Sequence, residues 1–154
     1  MDVTPPRSAT MPRRVFLAAG LSALVAGSAS VLAVLGGFTA VASDSFRFSR
    51  GTALASGEEA RLRGVLALAL PDTRIHVTIL GHTGDAGDAA ANQALSEDRA
   101  AYVAAIAEEM GIEPDRITAT GIGGGAPLSQ DSGETDRAHQ ARLARVEVTL
   151  QQRR

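Results

Sequence analysis

From Val15 to Ala42 the chain runs for 28 residues without a charge, a stretch rich in Ala, Gly, Val, Leu and Ser. About 20 apolar residues suffice to cross the hydrocarbon core of a bilayer. Arg7, Arg13 and Arg14 precede the run and Asp44 follows it. That asymmetry predicts an N-terminus inside and the remainder outside. Two routes fit. In one, the run is an uncleaved signal anchor. In the other, Arg13-Arg14-Val15-Phe16-Leu17 opens an export signal of the twin-arginine kind, cut after the small-x-small site Ala40-Val41-Ala42. Residues 1–42 are therefore expected to form one hydrophobic targeting helix, and 43–154 the exported domain, in the periplasm or cell envelope.

Roughly 110 residues remain, enough for one domain with a modest core. A net charge of −2 and a pI near 5.9 give no basic face for nucleic acid, and 3% aromatics give no stacking platform. The absence of cysteine excludes disulfides, thiolate metal sites, cysteine nucleophiles and an N-terminal lipoprotein cysteine.

Within 43–154, hydrophobic periodicity alternates between two values. Phe46 and Phe48 share one side of a possible edge strand. Ser56 with Glu59 reads as a capping box, opening a helix from about 57 to 70 that carries Leu62, Val65, Leu66 and Ala69. Ile75, Val77 and Ile79 alternate with polar residues as a strand. A glycine-rich loop, 81–91, leads to a helix over 93–110, with Asn92 as cap, Glu97 and Asp98 near its positive end, and Gly111 as a left-handed stop. Ile117, Ala119 and Gly121 alternate as a third strand. A short helix over 134–143 and a strand through Val146, Val148 and Leu150 finish the chain. The pattern is β-α-β-α-β-(α)-β, an α/β two-layer sandwich.

Gly81-His82-Thr83-Gly84-Asp85-Ala86-Gly87, followed by Asn92, Leu95-Ser96 and Arg99-Ala100, resembles the signature of the OmpA C-terminal-like family. That family reads G-H-T-D-x-x-G, N-x-x-L-S-x-x-R-A, G-I-x-x-x-R-I, a glycine turn and N-R-R-V-E. Gly111-Ile112, Arg116-Ile117, Gly121, Gly123, Pro127 and Arg145-Val146-Glu147-Val148 follow in order, so the resemblance spans about Phe46 to Leu150. It implies non-catalytic binding of the peptidoglycan stem peptide through its diaminopimelate residue. An acid takes the ammonium and an arginine takes the carboxylate. The family arginine falls on Arg99 and the family asparagine on Asn92; Thr83 and Arg145 complete the implied contacts.

The family aspartate falls on Gly84, and the nearest acid is Asp85. Either Asp85 replaces it across a loop that glycine allows to turn, or the ammonium pocket is lost. In the last strand the family's asparagine and first arginine are Leu143 and Ala144, for which Arg142 or Arg137 could compensate. Two functions stay open: a peptidoglycan-binding module, or an envelope structural or protein-interaction domain without the ligand. No cofactor, metal or enzymatic activity is expected. His82, His76 and His139 lack ligand spacing, and His82 reads as a structural histidine bonded to backbone. Gly121–Gly125 lacks the Gly-Lys-Ser/Thr of a phosphate loop, and Ser96 lacks an activating base.

Overall fold

The computed structural model describes residues 34, 35 and 37–153. Residues 15–33 lie outside them, and with them most of the expected hydrophobic helix and the choice between anchor and export signal. Among the described residues, no helix is long and apolar enough to cross a membrane.

The folded unit starts before Ser43. Strand β1 (Val34–Leu35) leads into β2 (Phe38–Arg50), which runs antiparallel to β6 (Arg145–Arg153). Partners extend from Phe38 opposite Arg153 to Arg47 opposite Arg145. The boundary expected at 42/43 thus falls inside a strand. The short β3 (Ala53–Leu54) folds back on the far end of β2.

Helix α1 (Glu58–Leu66) continues as a 3-10 turn over Ala67–Ala69. The capping box does not form. Glu59 Oε1 accepts from Arg63 Nε at 3.0 Å, one turn on, and so does not reach back to Ser56. Gly57, at φ 80°, turns the chain into the helix instead.

Strand β4 (Ile75–Gly81) and strand β5 (Ile117–Gly121) pair in parallel, joined by helix α2 (Ala89–Glu109) as the crossover. This helix begins four residues earlier than expected. Asp88 is its cap, accepting from the Ala91 amide at 2.7 Å, and Ala89-Ala90-Ala91 are strong helix formers. Asn92 therefore sits inside the first turn, and Glu97 and Asp98 lie beyond the positive end. Gly111, at φ 97°, ends the helix as expected. Its amide donates to Glu108 O at 2.9 Å, and the Ile112 amide to Ala107 O at 3.1 Å, while Ile112 is buried. Helix α3 (Asp136–Leu143), capped by Thr135, leads into β6.

The sheet order is β1-β2-β6-β4-β5. Phe46, Ile75, Val77, Ile79, Val146, Val148 and Leu150 point from it into one core, met by Leu62 and Leu66 of α1 and by Val103, Ile106 and Ala107 of α2. The opposite face carries half-buried residues such as His76, Thr78 and Thr149. This is the expected two-layer β-α-β-α-β-α-β arrangement, with two extra short strands. Two glycines set where α2 lies. A Cβ at Gly81 or Gly121 would run into the backbone of Ser96, so the helix packs directly on the C-terminal ends of β4 and β5. That contact delivers Arg99, one turn further along, to the strand ends.

Candidate functional site

Arg99 is 5% exposed and stands at the edge of the core. Its Nε donates to Gly51 O and its Nη1 to His82 O, both at 2.8 Å. The Phe48 ring lies beneath the guanidinium, 4.7 Å from centroid to carbon. Among the described residues no carboxylate pairs with it, and its Nη2 donates no hydrogen bond to the protein. Burial pushes its pKa below the ordinary value, with no acid to oppose the shift. A guanidinium stays protonated regardless. The site therefore holds a positive charge that the fold does not neutralise.

The loop after β4 is held in place by the turn after β5. The Ile122 amide donates to Gly81 O and the Thr83 amide to Gly123 O, both at 3.0 Å. Ser96 Oγ accepts from the Gly123 amide at 2.8 Å and donates to Gln93 O at 2.7 Å. Ser96 is thus a fully buried strut. Thr83 is buried, its hydroxyl donating to Gly84 O at 3.1 Å.

Asp85 is exposed. It lines a cleft of about 280 Å³ with Asn92, Gln93 and the Ile122–Gly125 turn, and Arg99 is not part of that lining. Asn92 Nδ2 donates to Ala86 O at 2.9 Å, bracing the loop across the start of α2. Asp85 Oδ1 accepts from Gln140 Nε2 of α3 at 2.6 Å. The structure brings Asp85 and Asn92 together at this cleft and sets Arg99 beside His82 and Thr83.

Gln140 has no counterpart in the sequence reading. A Cβ at Gly84 would strike its side-chain oxygen, and the next contacts are Gln140 Cδ at 3.3 Å and Cβ at 4.0 Å. The space that a side chain at position 84 would fill is occupied by the Gln140 amide. The only sequence signal was indirect: a glycine where the family signature has an acid.

Arg145 is buried and occupied within its own strand. Its Nε donates to Glu147 Oε1 at 2.8 Å, its Nη2 forms an ion pair with the same oxygen at 2.7 Å, and its Nη1 and Nη2 donate to Leu143 O and Ala126 O at 3.3 Å. Contrary to the expectation from sequence, the His82 ring makes no hydrogen bond to backbone, although its main-chain amide donates to Arg145 O at 2.9 Å. Its Nε2 faces Glu147 Oε1 at 3.5 Å, longer than an ordinary hydrogen bond. His82 and Arg145 together hold the Glu147 carboxyl at about 2, against the opposing effect of burial. Arg142 is bound to Glu134 and Ser129 O, and Arg137 is exposed on α3.

The sequence model of the OmpA family matches residues 47–141. Outer membrane porin F of Pseudomonas fluorescens is 39% identical over 77 residues, which are 49% of this chain and 24% of that protein. The chain spans only 6% and 46% of the length of two other curated relatives that it matches. A MotB-like protein from Desulfovibrio vulgaris superposes with a TM-score of 0.59 at 30% identity, covering 77% of each chain. The peptidoglycan-associated lipoprotein from Burkholderia pseudomallei superposes with a TM-score of 0.60 at 21% identity, covering 69% of this chain and 88% of that one. The family match runs from the strand bearing Phe48, through the Gly81–Gly87 loop and Arg99, to the helix bearing Gln140, and on that ground the chain belongs to the OmpA family.

Proposed function

We propose that this domain binds the peptidoglycan stem peptide without chemical change, at its diaminopimelate residue, in the cell envelope outside the cytoplasm. Arg99 carries the proposal. A buried cation without an internal partner is costly unless something negative completes it. Its Nη2 is free to donate, and a carboxylate is the group that a guanidinium fork recognises. Thr83, beside the His82 carbonyl that anchors Arg99, and Asn92 and Asp85, at the neighbouring cleft, would contact the rest of the peptide, with Arg145 supporting the loop from β6. One structural relative is named for its association with peptidoglycan, which agrees with this reading. Dense repeated sites on a wall would let a modest affinity suffice.

A second reading has its own observation. Asp85 is bonded to Gln140 and does not line a groove with Arg99, as befits an envelope structural or protein-interaction domain that has lost the ligand. Co-sedimentation of the full chain with insoluble peptidoglycan separates the two. Retention by the wild type and its loss in Arg99→Ala is the expected result. Retention that is absent, or indifferent to Arg99, would leave the interaction domain.

A further inference from the structure

We infer that Gln140 is a ligand-binding residue of this site: its side-chain oxygen, held in the space left open by Gly84, accepts the ligand's ammonium. The inference deepens the proposed function and rests on it. The orientation of the amide is fixed by its partner. A carboxylate only accepts hydrogen bonds, so the group facing Asp85 Oδ1 at 2.6 Å must be the NH2. The oxygen is then turned to where a side chain at position 84 would begin. It receives no hydrogen bond from the described residues. Position 84 lies two residues beyond His82, whose carbonyl anchors Arg99; two extended residues span roughly 7 Å. An ammonium and a carboxylate on one ligand carbon can thus be met by the acceptor from α3 and the guanidinium from α2, both packed on this one loop.

The arrangement also explains how the site works without an acid at position 84. Asp85, besides contacting the rest of the peptide at the cleft, positions Gln140. Its negative charge fixes and polarises the Gln140 amide, so the carbonyl end becomes a better acceptor. A site of this kind selects a free amino-acid centre over its acylated counterpart. N-acylation removes the ammonium and adds bulk where the Gln140 oxygen stands.

The test measures binding of two probes to the full chain by calorimetry: meso-diaminopimelate, and its N,N′-diacetyl derivative, which keeps both carboxylates and lacks both ammonium groups. The wild type should prefer meso-diaminopimelate. Gln140→Ala should weaken that probe about tenfold, the equivalent of one charged hydrogen bond, and should not weaken the diacetyl probe, whose acyl group gains room. Gly84→Asp combined with Gln140→Ala should restore the preference. The three atoms nearest to a Cβ at 84 all belong to Gln140, and the nearest that remains in the alanine variant lies at 4.0 Å, so the Cβ of the new residue has room. Equal affinity of the wild type for both probes, or an unchanged affinity in Gln140→Ala, overturns the inference while peptidoglycan retention through Arg99 still stands. Binding of neither probe together with no retention on peptidoglycan overturns both.

Discussion

Replacing Arg99 by Met removes the charge and keeps most of the apolar stem. Two charged hydrogen bonds at 2.8 Å disappear, each worth about 1.5–3 kcal/mol, together with a stacked contact on Phe48 of about 1 kcal/mol. Against that, an unpaired guanidinium no longer has to be desolvated, which recovers several kcal/mol. The difference is a net loss of about 2 kcal/mol in urea unfolding. The second readout is ligand-dependent. A carboxylate ligand at a hundred times its Kd should stabilise the wild type by about 2.7 kcal/mol. For a domain of about 120 residues that corresponds to roughly 10 °C in Tm. Arg99→Met should show no such rise by differential scanning fluorimetry. A Met variant that keeps the full ligand-induced rise refutes the assignment of Arg99 as the anion's partner. One that is more stable than the wild type by several kcal/mol refutes the view that its two carbonyl bonds hold the Gly51 turn to the His82 loop.

Glu147 has its pKa lowered from 4.5 to about 2, so its contribution is present above about pH 4.5 and is lost as pH falls through 2. Glu147→Gln should therefore flatten the acid limb of a stability-against-pH curve, and a limb unchanged by the substitution would refute the coupling. Gly121→Ala would drive a methyl group into Ser96 and should cost more than about 3 kcal/mol by thermal unfolding, as overpacking against backbone does; a variant within 1 kcal/mol of wild type would refute the close packing of α2. Ser96→Ala should cost about 1–3 kcal/mol, because the buried Gly123 amide loses its acceptor, and exchange of that amide with deuterium should accelerate. A chain starting at Ser43 loses the strand pairs of Phe38, Thr39, Ala40 and Ala42 and should unfold at a lower temperature than one starting at Phe38; equal midpoints would refute a structural role for that segment.

The order of elements was legible because periods of two and 3.6 alternate cleanly, and because Gly111 with Ile112 forms a stop whose chemistry is local. The early start of β2 was not legible. Phe38-Thr39-Ala40-Val41-Ala42 continues an uncharged run, and nothing local separates a strand pairing with Arg153 from the end of a targeting segment. The helix caps failed for a related reason. Asn92 and Asp88 are both good caps, and the choice turned on which residue the chain reaches first after Gly87. Arg99 and Asp85 were visible as residue types, but their partners were not. Gln140 lies 55 positions from Asp85, and only the folding of α3 against the Gly84 loop brings the two together.

The register of β2 against β6 puts the entry of β2 and the proposed ligand site at opposite ends of the sheet. Phe38 stands beside Arg153, whereas Arg47 stands beside Arg145, and β4 ends at Gly81 opposite Val146. Eight strand steps separate the two ends, ~26 Å. If the bound peptide is held at one end and the chain leading into Phe38 is pulled at the other, the load runs along the strands. The rungs between β2 and β6 would then resist sliding together, as in a lap joint, and would not peel one after another. A domain built this way can transmit tension between a fixed mesh and whatever precedes it before its own sheet gives way.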